Sequence, residues 1–461
     1  MQLQTIRRAL LRVMMPMLSC ATAFLWQNVL LAQVPSKTPV TLTLSQAIDL
    51  ALKQNRTVQL AHLAVSDSEH KKEIARSAYY PHIKNESSIL HVTELAGVAI
   101  PAGAFGVPKA TGAIPETSLF IGQGSATGYT SGTGLAQPLT QMFRIRESNR
   151  AATADINMAK IQVNQAENEI ALKVRQLYYG LLIGQLRLQA AKEEISASQI
   201  KLEESSSAVT QGGALEVAAL ESRAALLDAR QAALTQELQI NDLTLALDDL
   251  LGLPLSSKLQ LNEETPAASL SIPSREECIR TAQDDNPEIR TARQAVLKAR
   301  AGLSAAKDAY IPDVTGLARY SYQSGVPLLV HNFGTFGFTL TYDLFDGGRR
   351  VSEVNDSRTL LAEAELSLAK AEDELTVQVE TAYDKVEQLQ NMVGVAEEAL
   401  AVRTEAARLA DRQFEQGAAL ASAHSEAIAK AAAAKASLLE ATLGLTLAHA
   451  ELKRTIGQIP R

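Results

Sequence analysis

The chain has 461 residues, a formal net charge of −7 at pH 7, 46% hydrophobic residues and two cysteines. An acidic balance of this kind excludes a nucleic-acid partner, which needs a basic face. Two cysteines exclude a disulfide scaffold, and removal of a leader holding Cys20 leaves Cys278 alone.

Arg7, Arg8 and Arg12 precede the mostly apolar run Val13 to Ala32, so residues 1–32 are expected to be a secretory signal cut after Ala32. An uncleaved anchor is the alternative. Met17-Leu18-Ser19-Cys20 offers a second, lipoprotein-like cut, although Met17 stands where leucine is usual. No later stretch reads as apolar over the roughly 18–20 residues of a spanning helix, so a membrane crossing would have to be a barrel.

The rest of the chain is duplicated. Residues 44–81 align without gaps on 275–312, matching Ile48 with Ile279, Asn55 with Asn286, Val65 with Val296, Tyr79 with Tyr310 and Pro81 with Pro312. Residues 139–254 align on 344–459, pairing Tyr178 with Tyr383, Gln211-Gly212 with Gln416-Gly417, Glu221 with Glu426 and Gly252 with Gly457. The two repeats are expected at 33–273 and 274–461. Their offsets are 231 and 205, so the first copy carries an insert of 26 residues, placed at Glu94 to Phe120; rich in Gly, Pro and Ala, it reads as a loop.

Each copy opens on a capping box, Thr43-x-x-Gln46 or Ser274-x-x-Glu277. A short helix ends at Asn55 or Asn286, and a second runs to Tyr79 or Tyr310. Pro81 and Pro312 then turn helix into extended chain. From Phe336 to Leu344 apolar residues alternate with Gly337, Thr339, Thr341 and Asp343, the period of a half-exposed strand. Strands are expected at about 83–93, 128–139, 313–322 and 334–345; the first two alternate weakly and follow from the duplication. A long helix comes next. Leu361, Ala364, Leu368, Ala371, Leu375, Val379, Ala382 and Val386 form a coiled-coil stripe with a stutter at Ala371–Leu375–Val379, which unwinds the supercoil locally. It breaks at Gln211-Gly212-Gly213-Ala214 or Gln416-Gly417-Ala418-Ala419 and a shorter helix returns. A helix over 142–209 is roughly 100 Å long, and its two short flanking partners sum to roughly 90 Å.

Of 18 aromatic residues after Ala32, 14 lie between Tyr79 and Phe143 or between Tyr310 and Phe345, which points to a lipid-facing wall with aromatic girdles. Spanning barrels start at about eight strands, so four strands per chain require oligomers. A dimer gives eight and a trimer twelve, and residue patterns do not choose between them. The seven histidines are scattered with no paired ligand spacing, so no metal site is expected. No nucleotide-binding or serine-hydrolase motif appears, so neither a cofactor nor an enzymatic activity is expected.

The order of short helix, helix ending in Ala-Tyr-x-Pro, two strands, Gln137-Pro138-Leu139 or Asp343-Leu344-Phe345-Asp346-Gly347-Gly348-Arg349, long helix, glycine turn and returning helix resembles the TolC family of outer-membrane efflux proteins over about 41–459. The resemblance implies a mainly helical fold with a membrane β-barrel portion: a homotrimer, a twelve-stranded barrel in the outer membrane and a helical tunnel through the periplasm. The segment Leu253 to Ile272 would lie in a mixed equatorial region. The implied job is the passive exit duct of a tripartite efflux or type I secretion system, with a periplasmic adaptor and an inner-membrane transporter of RND or ABC type as partners. Gly212, Gly213, Leu215, Gly417 and Leu420 would form the periplasmic tip that meets the adaptor. Glu426, with Glu221, would line the aperture and favour cations weakly; Ala423 stands where the family's other acidic residue would be. The alternative is a periplasmic coiled-coil adaptor or scaffold without a pore, which leaves the aromatic windows unexplained.

Overall fold

The computed structural model describes residues 40–93, 97–122, 127–254, 259–262, 273–325 and 330–458. The leader, with Cys20 and its cut sites, and most of Leu253 to Ile272 lie outside the described residues.

The elements follow in the order β1 (Val40–Leu42), α1 (Leu44–Gln54), α2 (Arg56–Ser77), β2 (His82–His91), β3 (Gly97–Ile100), β4 (Leu119–Gly122), β5 (Thr127–Pro138), α3 (Met142–Thr210), α4 (Glu216–Leu251) and β6 (Leu259–Leu261). The second copy continues with α5 (Arg275–Asp285), α6 (Pro287–Asp308), β7 (Asp313–Ser324), β8 (Asn332–Thr341), α7 (Arg349–Glu415) and α8 (Ala421–Thr455).

Local chemistry explains the boundaries. Thr43 and Gln46 form the full reciprocal box at the start of α1. At Ser274 only the hydroxyl leg forms, accepting from the Glu277 N–H at 3.3 Å. Asn55 and Asn286 each serve two helices. The Asn55 Oδ1 accepts from the Thr57 N–H at the start of α2, while its Nδ2 donates to the Leu250 carbonyl at the end of α4. Asn286 does the same with the Glu288 N–H and the Thr455 carbonyl, the equivalent positions of the second copy. The backbone N–H of each also closes the preceding short helix on the Ala51 or Ala282 carbonyl, so one residue joins three helix ends in each repeat.

The helices α3 and α7 have 69 and 67 residues, roughly 100 Å each. Against α3 pack α2 and α4 from its own repeat and α6 and α8 from the other. The core lies midway along the helices in two clusters, around Val174, Tyr178, Leu247 and Leu251 and around Ile289, Val379, Val386 and Leu452. Tyr178 donates to the carbonyls of Leu42 and Asn262 and so holds the parallel pair β1–β6 against the bundle.

Two expectations are corrected. The insert is not a plain loop: β3 inside it pairs antiparallel with β4, which begins at its end and runs two residues past Phe120, from Gly97 opposite Gly122 to Ile100 opposite Leu119. And α8 is long and apolar enough to cross a membrane by length and composition. Its apolarity is largely alanine, and its Leu443 and Leu452 are buried in the two core clusters, so the stripe serves helix packing.

Asp248, at the end of α4, is fully buried and neither carboxylate oxygen has a partner among the described residues. Burial pushes its pKa up, and a helix C-terminus adds repulsion for negative charge. A carboxyl whose folded pKa is raised contributes most below its unfolded pKa, near 4, and stability falls as pH rises through the folded value. Asp248→Asn, which cannot ionise, is therefore expected to be more stable than the parent at neutral pH, with the gap shrinking toward pH 4. Denaturant midpoints measured from pH 4 to 8 check it, and a pH-independent gap would refute it.

Candidate functional site: a two-faced strand wall and a helical tip

The strands β2, β5, β7 and β8 form one antiparallel sheet in the order β2-β5-β7-β8, leaving β2 and β8 as edges. Register settles which side chains share a face. On the first face lie Ile83, Ile89, Tyr129, Leu135, Tyr320, Tyr322, Phe336, Phe338 and Leu340. Phe336 is 93% exposed and Phe338 79%, with none of the described residues covering them. Four polar groups at the middle of this face, Asn85, Ser87, Ser131 and Thr133, hydrogen-bond to one another, so they are satisfied within the wall.

The second face carries Lys84, Glu86, Ser88, Thr130, Arg319, Thr335 and Thr339, with Leu90, Leu317 and Phe333 as its large apolar members. A shallow concavity of about 600 Å³ opens mostly on this side. Lys84 Nζ lies 2.8 Å from Glu86 Oε1, and Arg319 Nη2 lies 3.9 Å from Glu86 Oε2. No motif marks Lys84 or Glu86 in the sequence; the alternation His82, Lys84, Glu86, Ser88 is the available signal. At the helix end of the wall Arg144 pairs with Asp313, and the Thr140 hydroxyl donates to the Pro312 carbonyl at 2.7 Å, fastening sheet to bundle.

At the far end of the helices the chain turns twice. Gly212 and Gly417 take φ of +71° and +69°, a conformation open to glycine without a Cβ penalty. The Gly213 N–H reaches the Ala208 carbonyl and the Ala418 N–H the Gln413 carbonyl, each at 2.8 Å. Leu215 and Leu420 follow, 79% and 67% exposed. Glu426 lies on α8 within 2.6 Å of Lys430 one turn on, and this hydrogen bond holds its carboxyl below the usual range. Glu221 is exposed on α4, at the equivalent position of the other hairpin. A contact absent from the sequence reading joins the hairpins here: the Glu204 carboxylate of α3 accepts from the Ser422 N–H at 3.0 Å and caps α8. His424 stacks on Phe414 at 5.0 Å between centroids, with Nε2 3.1 Å from Asp411 Oδ1. No group of three or more His, Cys, Asp or Glu side chains suited to a metal occurs among the described residues.

A two-faced strand wall set on helical hairpins some 100 Å long is the architecture of a channel protein whose strands sit in a membrane and whose helices reach into the space beside it. The family model for outer membrane efflux proteins matches residues 47–253 and 278–458, and the chain belongs to that family. The outer membrane efflux protein BepC of Brucella suis biovar 1 (strain 1330) is 26% identical over 351 residues, 75% of this chain and 70% of BepC. The fold is similar to that of a membrane protein from Pseudomonas aeruginosa, with a TM-score of 0.72 at 17% identity over 90% of each chain. It is likewise similar to the CmeC outer membrane channel of Campylobacter jejuni, with a TM-score of 0.70 at 16% identity over 90% of this chain and 85% of that one. VceC of Vibrio cholerae gives a TM-score of 0.70 at 15% identity, over 90% of this chain and 96% of VceC. The protein is an outer-membrane efflux channel, as the TolC-family resemblance implies, and the family membership leaves the adaptor alternative without support.

Proposed function

We propose that three copies close one twelve-stranded barrel by pairing β8 of each chain with β2 of the next, and that the assembly is the passive exit duct of a tripartite efflux or type I secretion system. The observation that carries this reading is the pair of free edges on a wall whose outer face is apolar. Unpaired backbone groups cannot stay exposed to lipid, so the edges must meet. The duct itself performs no chemistry; an RND-type or ABC-type inner-membrane transporter drives the cargo. A periplasmic adaptor docks on the tip formed by Gly212, Gly213, Leu215, Gly417 and Leu420, where exposed leucines after tight turns suit an apolar groove in the partner. Glu426, with Glu221, faces the aperture and favours cations, although Lys430 offsets part of the Glu426 charge.

Purified protein recorded in planar bilayers tests this reading. Discrete, weakly cation-preferring channels are expected, and Glu426→Ala should lower the cation-to-anion permeability ratio. A water-soluble monomer that forms no channels overturns the duct. An unchanged ratio in the variant removes Glu426 from the aperture.

A further inference from the structure

Among their described residues the four strands carry four formally charged side chains. Asp313 stands at the helix end of β7, committed to Arg144. The other three, Lys84, Glu86 and Arg319, gather at mid-wall on the polar face. Register puts Lys84 opposite Gly134 and Gly134 opposite Arg319, one row across three strands, with Glu86 opposite Gly132 in the adjacent same-face row. Those glycines leave β5 bare between the charges, and Arg319 lies down into the gap. A Cβ at Gly132 would stand 2.6 Å from Arg319 Nη2 and 2.7 Å from Nε, so only glycine admits this pose. The guanidinium is thereby directed at a carboxylate that Lys84 already holds. Two cations share one anion, and each chain keeps one uncompensated positive charge on its polar face.

A cross-strand ion pair for stability would need only one cation. Exposed pairs of this kind also add little, and Lys84, Glu86 and Arg319 are 76%, 55% and 51% exposed. Stability therefore does not account for the excess charge.

We infer that Lys84, Glu86 and Arg319 form a cationic collar inside the barrel that draws anionic solutes to the exit and disfavours cations. The inference rests on the trimeric barrel proposed above, in which three copies make a ring of six cations and three carboxylates. Twelve tilted strands about 4.8 Å apart enclose a wall of roughly 12 Å radius. The inward charges then stand within about 10 Å of the axis, one Debye length at 0.1 M salt. The collar's field spans the bore at that salt and shrinks to the wall at 1 M, where the Debye length is about 3 Å. The collar lies at the opposite end of the duct from the acidic tip, so its effect needs a local reading.

Thr335 provides one, because it faces Arg319 across β7–β8. In liposomes, Thr335→Cys is treated with anionic, cationic and neutral methanethiosulfonate reagents of similar size, and rates are normalised to a free thiol. At 0.1 M salt the anionic reagent is expected to react faster than the cationic one by about fivefold. Lys84→Gln with Arg319→Gln should erase or invert the preference, Glu86→Gln should enlarge it, and 1 M salt should abolish it. A preference unmoved by the double substitution overturns the collar while leaving the barrel standing. If the neutral reagent spares Thr335→Cys but modifies Phe336→Cys, the faces are reversed and the barrel reading falls with the collar.

Discussion

Phe336→Arg is expected to abolish assembly in the outer membrane, whereas Thr339→Arg, three residues along the same strand, is expected to assemble normally. Phe336 sits mid-strand on the aromatic face, 93% exposed, and Thr339 points to the opposite face. An arginine on the lipid face at the bilayer midplane costs about 2–4 kcal/mol per chain. In a trimer the cost falls three times, roughly 6–12 kcal/mol, comparable to the whole stability of an ordinary domain. On the water-lined face the same side chain remains hydrated and costs little. Heat-resistant oligomer on gels and the amount recovered in the outer-membrane fraction report the outcome. If both variants assemble alike, the division of the wall into a lipid face and a water face is wrong.

That division was only half legible in the sequence. In β8 the alternation is clean from Thr335 to Leu340, where Phe336, Phe338 and Leu340 fill one face and Thr335, Gly337 and Thr339 the other, while Phe333 breaks it by falling on the polar face. In β2 and β5 it is blurred for a physical reason: Asn85, Ser87, Ser131 and Thr133 stand on the apolar face but satisfy one another across the strands. A periodicity count treats them as misplaced polar residues. The collar was illegible for a related reason, since Lys84, Gly134 and Arg319 become neighbours only through two registers linking distant parts of the chain. The hairpin β3–β4 escaped notice because each strand has four residues, too few for a period, in a segment full of helix-breaking glycine and proline. Helix boundaries, by contrast, were visible wherever one residue type does one local job, as Pro81, Pro312, Gly212 and Gly417 do.

The duplication also preserves pairs of sites that look alike in sequence and differ in their surroundings, and the glycines ending the returning helices are the sharpest case. Gly252 after α4 and Gly457 after α8 both take positive φ, +68° and +80°. At Gly252 an added Cβ would meet the Gln54 side chain at 3.3 Å, and a side chain can swing aside. At Gly457 it would collide with the Asp285 carbonyl group and stand 2.8 Å from the Asn286 backbone nitrogen. That backbone cannot yield locally. Asn286 caps α6 and ties its Nδ2 to the Thr455 carbonyl, so moving it disturbs three helix ends together. Gly252→Ala should cost about 1 kcal/mol, the ordinary penalty of a left-handed alanine. Gly457→Ala adds a backbone clash and the cap, and should cost more than about 3 kcal/mol. Hydrogen exchange is expected to rise in α5 and the first turns of α6 for Gly457→Ala and to change little for Gly252→Ala. Equal costs at the two sites would mean that the junction of α5, α6 and α8 relaxes as freely as its counterpart, against the tight backbone approach found there.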